Sequence, residues 1–115
     1  MIMQNIERIK RYFNRREYIK AVFIVADLYK NLAKELIDLK EKKMLNKHSI
    51  AYKIWFRVFV KSDKYCFEIL NEIDNIMQQR NKEIYNSNNE NLIEKAYLFR
   101  EECLAMILSY PKDSK

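Results

Sequence analysis

The sequence predicts an all-α chain, an antiparallel helical bundle of about four helices. Three observations carry that prediction. The 115 residues contain no glycine and one proline, Pro111, where ordinary usage supplies about eight glycines. Two-residue β-hairpin turns lean on glycine for positive φ, so hairpin-rich folds are disfavoured. Apolar residues recur at spacings of three and four along the chain, and no stretch alternates with a period of two.

The elements follow in order. Ile2, Ile6, Ile9 and Phe13 form one stripe of a short first helix. Next, "NRRE" (14–17) has the Asn-x-x-Glu form of a capping box. Tyr18, Val22, Val25, Tyr29, Leu32, Leu36 and Leu39 then alternate fours and threes, the seam of a long second helix. Its first half is apolar on a second side through Ala21, Ile24 and Leu28. "MLNKHS" (44–49) reads as a loop with Ser49 as an N-cap. The third helix keeps one phase through Ala51, Trp55, Val58, Ser62, Cys66, Ile69, Ile73 and Ile76, either as one helix, straight or kinked near Ser62, or as two with Ser62–Asp63 capping the second. "NSNNEN" (86–91) reads as a loop, with "SNNE" (87–90) a second capping box. The last helix carries Leu92, Ala96, Phe99, Cys103, Met106 and Tyr110. Residues 1–110 form a single domain, and 111–115 a short polar tail.

Composition excludes several chemistries. Without glycine, neither a phosphate-binding loop nor a dinucleotide fingerprint can be written. The one histidine, His48, sits in a predicted loop with no nucleophile patterned around it. Cys66 and Cys103 lie on apolar seams, too far apart for a zinc motif, and read as buried thiols. Pairs such as Glu68 and Glu72, or Glu90 and Glu94, have no Glu-x-x-His partner and read as solvated faces. The sequence therefore predicts no catalytic residue, no metal and no cofactor. No run of apolar residues is long enough to span a bilayer. The N-terminus meets charge at Glu7 and Arg8 and lacks a signal peptide's apolar region, so a cytoplasmic protein is expected.

Charge is uneven. Net charge is +6, yet residues 1–64 hold 16 Lys and Arg against 7 Asp and Glu, leaving −3 for the remainder. The cations gather in residues 8–20 and in a stripe formed by Lys53, Arg57, Lys61 and Lys64. At about 100° per residue these four fall within roughly 80° of one another. Ile54, Trp55, Phe56, Val58, Phe59 and Val60 fill most of the remaining circumference. An arc that wide implies a helix central in its bundle or one that meets a second molecule. A stripe of this kind is most often a wet edge, with long stems covering apolar surface.

Two functions follow as expectations. The first is a non-enzymatic protein–protein interaction module, such as a regulator, adaptor, chaperone or inhibitor-like subunit. It would bind a protein partner, or a second copy in a homodimer, through Trp55, Phe56 and Phe59. The alternative is a nucleic-acid-binding accessory protein using Arg11, Arg15, Arg16, Lys53, Arg57, Lys61 and Lys64 on one basic face.

Overall fold

A computed structural model of the chain describes residues 2–45, 48–80 and 87–109. It consists of four helices, α1 (Ile2–Asn14), α2 (Tyr18–Glu41), α3 (Ile50–Arg80) and α4 (Ser87–Ser109). The described residues contain no strand. The all-α bundle expected from the apolar spacing is the fold observed.

The first two helices end without glycine in a motif that usually employs it. Arg16 and Lys43 adopt φ of 63° and 59°. At the end of α1, the Glu17 N–H donates to the Tyr12 carbonyl (2.9 Å) and the Arg16 N–H to that of Phe13 (3.0 Å). The end of α2 repeats this, Met44 donating to Leu39 and Lys43 to Lys40. Both are Schellman caps, with a residue bearing a Cβ held in the left-handed region at C′. The expected capping box at 14–17 is therefore replaced. Asn14 belongs to α1, and Glu17, the N-cap of α2, makes no side-chain cap bond. Across this turn Phe13 and Tyr18 meet edge to face, centroids 5.6 Å apart.

At the next connection Ser49 caps α3 as expected, its Oγ accepting the Tyr52 N–H at 3.2 Å. α3 runs as one helix through Ser62, settling the alternative of a break there. α4 starts at Ser87, so most of the loop expected over 86–91 is instead the first turn of the helix. The side-chain caps expected at 87–90, and Tyr110 with the tail, lie outside the described residues.

The hub of the bundle is α2, not α3. It packs against all three other helices and most extensively against α4. Val22, Val25, Tyr29, Leu32 and Leu36 are buried on its first seam, and Ala21, Ile24 and Leu28 on its second. Each large aliphatic side chain so buried contributes about 1.5–3 kcal/mol. Ala26 and Ala33 on α2, with Ala96 and Cys103 on α4, are also buried. Interaxial distance follows the size of the side chains at the contact, so these small residues permit the close approach of α2 and α4.

Register fixes the directions. Trp55 bonds to Leu32 and Asp63 to Tyr29, so α3 runs antiparallel to α2. Asp63 meets Arg100 and Asn71 meets Tyr97, so α4 runs antiparallel to α3. The topology is up-down-up-down, drawn out to 53 × 25 × 18 Å.

Candidate functional site: the outer face of α3

The amino-terminal half of α3 carries an aromatic ladder on its inner side. Trp55 and Phe59 stack at 5.3 Å and 9°, with Tyr52 6.1 Å from Trp55. The Trp55 indole N–H donates to the Leu32 carbonyl of α2 at 2.9 Å. Trp55 and Phe59 are thus core residues, 4 % and 3 % exposed. This corrects the sequence expectation of a surface patch at Trp55, Phe56 and Phe59. Trp55 and Phe59 point at the hub helix, and of the three only Phe56 reaches solvent, at 40 %.

Among the described residues, none packs over the outer side of the same half-helix, whose residues are exposed. Ile50, Ile54 and Val60 join Phe56 as exposed apolar residues. Lys53, Arg57, Lys61 and Lys64 are all exposed on that side. By helical angle, Phe56 and Val60 flank the cations on one edge and Ile54 on the other, while Ile50 falls between Arg57 and Lys61. Among the described residues none of these four cations has a salt-bridge partner, whereas Lys20 pairs with Glu17 and Lys42 with Asp38. Tyr52, Lys53, Phe56, Arg57, Val60 and Lys61 line a shallow open hollow of about 600 Å³.

Arg11, Arg15 and Arg16 are exposed as well, but elsewhere. Arg15 and Arg16 lie in the turn before α2, whereas Trp55 marks the level of Leu32. Fifteen residues of helix separate Glu17 from Leu32, about 22 Å along the axis. Arg15 and Arg16 thus stand well away from the level of Trp55, whereas Lys64, further along the antiparallel α3, lies about 13 Å nearer to them. Two further cations of the 8–20 segment lie over rings, Lys10 over Tyr65 (5.3 Å) and Lys20 over Tyr12 (5.7 Å).

A second constellation crosses the interior between α2, α3 and α4. Asp63 receives the Tyr29 hydroxyl hydrogen bond and a two-pronged contact from Arg100, Nε to Oδ1 at 2.6 Å and Nη2 to Oδ2 at 3.0 Å. The Arg100 guanidinium also lies 3.6 Å over the Phe67 ring. Burial, then the bond to Asp63, pushes the Tyr29 hydroxyl above the usual tyrosine range. Hydrogen bonding to Asp63 likewise raises Arg100. Beside this pair, burial pushes the Cys66 and Cys103 thiols up to about 12 each, with the Asp63 charge adding to both. Both cysteines are free. Thiols held protonated in this way are poor nucleophiles.

Sequence reasoning missed the Asp63–Arg100 pair because its members stand 37 residues apart. The one local signal was Asp63 next to the buried Ser62 within an otherwise apolar phase. Elsewhere, His48 is exposed in the α2–α3 connection. Among the described residues no group of three or more His, Cys, Asp or Glu is placed to hold a metal. No helix among them is long and apolar enough to cross a membrane. Compared with protein-family models, curated proteins and solved structures, the chain matches none.

Proposed function

We propose that this chain is a non-enzymatic protein–protein interaction module that presents the outer face of α3 to an acidic, partly apolar protein surface. The observation carrying this reading is the row Lys53, Arg57, Lys61 and Lys64, unpaired among the described residues, with exposed Ile50 in line with it and exposed Ile54, Phe56 and Val60 along its borders. Apolar borders offer area to bury, and cations without internal partners offer steering and register toward carboxylates. A phosphate-tracking surface is the second reading, less well supported because Arg15 and Arg16 lie about 22 Å along the axis from the level of Trp55, and Lys10 over Tyr65 brings only the Lys64 end of the stripe beside α1. The two free, buried thiols agree with a reducing, cytoplasmic setting.

The test is fluorescence anisotropy with a labelled amphipathic peptide carrying Leu and Glu at alternating spacings of three and four. The expected result is saturable binding, weakened about tenfold or more by Arg57→Glu with Lys61→Glu. Arg15→Glu with Arg16→Glu should leave it unchanged. The α3 variant must retain cooperative unfolding, because both side chains are exposed. Equal effects of the two double variants would refute the assignment of the face. Tight binding of generic labelled RNA or DNA at ~50 mM salt that collapses by ~200 mM would show phosphate contacts instead.

A further inference from the structure

The outer face of α3 has a counterpart on the same chain. On α4, Glu94, Leu98, Glu101, Ala105 and Leu108 are all exposed. Their spacing is four, three, four, three, so they form one continuous seam facing away from the bundle. Leu98 and Leu108 are 60 % and 78 % exposed, and Glu102 stands beside the seam. On α3, Ile50, Ile54, Arg57, Lys61 and Lys64 follow the same rhythm over the same length and are equally exposed. One seam is basic and the other acidic, and each is partly apolar.

Taking the α3 face as a docking face, as proposed above, we infer that its partner is a second copy of this chain, whose α4 outer seam packs antiparallel against it. Antiparallel pairing sets Ile50 and Ile54 against Leu108 and Ala105. It sets Arg57 against Glu101, the Lys61 stem against Leu98, and Lys64 against Glu94. Every position then meets a complementary one. Parallel pairing instead lays Ile50 on Glu94 and Lys64 on Leu108. Pairing α3 with α3 brings cations together, and pairing α4 with α4 brings carboxylates together, both disfavoured by like-charge repulsion. The contact therefore joins two different surfaces and is heterologous. A seam of fifteen residues is only about 22 Å long, which makes the contact small and weak. Association is expected at protein concentrations on the order of 10 µM to 1 mM.

Sedimentation equilibrium of the full chain, from about 10 µM to 1 mM, tests this in three arms. The wild type should exceed the 14.1 kDa monomer mass with rising concentration. Arg57→Glu with Lys64→Glu, and separately Glu94→Lys with Glu101→Lys, should each weaken self-association at least about tenfold. Mixing the two variants should restore it, because each then offers a face complementary to the other. Leu98→Ser with Leu108→Ser leaves every charge in place and should also weaken it, covering the case of a charge variant that folds poorly. A wild type that stays monomeric to ~1 mM overturns the inference, as do folded variants that associate undiminished or a mixture that stays monomeric. The acidic-peptide assay reads the α3 face alone, so binding there with a monomeric wild type would discard the self-partner and keep the docking face.

Discussion

At the scale of single residues, the interior of this bundle is decided by Asp63. It holds Tyr29, Arg100 and, through Arg100, the Phe67 ring in one layer. Asp63→Asn would leave the guanidinium half-enclosed and without its counter-charge. Asp63 and Arg100 side chains keep 19 % and 15 % exposure, so the expected loss is about 2 kcal/mol, below the ~3–5 kcal/mol of a fully buried pair. Urea denaturation measures it, and combining Asp63→Leu with Arg100→Leu and Tyr29→Phe, which leaves no partner of Asp63 unpaired, should recover most of the loss. The thiols beside this layer set an alkaline limit. Their protonated form is favoured in the fold, with values near 12 against an ordinary 9.0. That stabilisation is complete below about pH 9 and is lost as pH rises through about 12; Tyr29 acts in the same direction. Thermal melts should hold steady to about pH 8.5 and then fall, and a Tm unchanged at pH 11 would contradict the burial argument.

At the scale of elements, the helices were legible and their ends were not. Seam residues such as Val22, Tyr29, Leu36, Cys66, Ile73 and Cys103 are buried where the spacing placed them, because a 3.6-residue repeat records which side faces the core. The turns were hidden because the residues at C′ are Arg16 and Lys43, which carry none of glycine's signal. That is why "NRRE" read as the start of a helix when it spans the end of one. Holding a residue with a Cβ at positive φ costs about 1 kcal/mol or more. Lys43→Gly should therefore raise stability by about 0.5–1 kcal/mol, read as a shift in urea midpoint at constant slope. Unchanged or lower stability would show that the Lys43 side chain contributes there. The candidate site was legible in part. The cation stripe emerges on the surface as its spacing implied, but spacing alone could not say which side of so apolar a helix faces α2, and Trp55 and Phe59 went to the core.

At the scale of the whole molecule, α2 takes the centre because it is apolar on two sides and carries alanines where α4 approaches. That arrangement leaves one side of α3 and one side of α4 exposed among the described residues, and those sides hold opposite charge. We propose the outer face of α3 as the surface through which this chain binds protein. The most direct measurement is a ¹⁵N–¹H amide shift map during titration with the acidic amphipathic peptide. Changes should concentrate at Ile50, Lys53, Ile54, Arg57, Val60, Lys61 and Lys64. Changes centred instead on Arg11, Arg15 and Arg16, or on the α2–α4 groove beside Phe23 and Phe99, would contradict it, as would the absence of any change at saturating peptide.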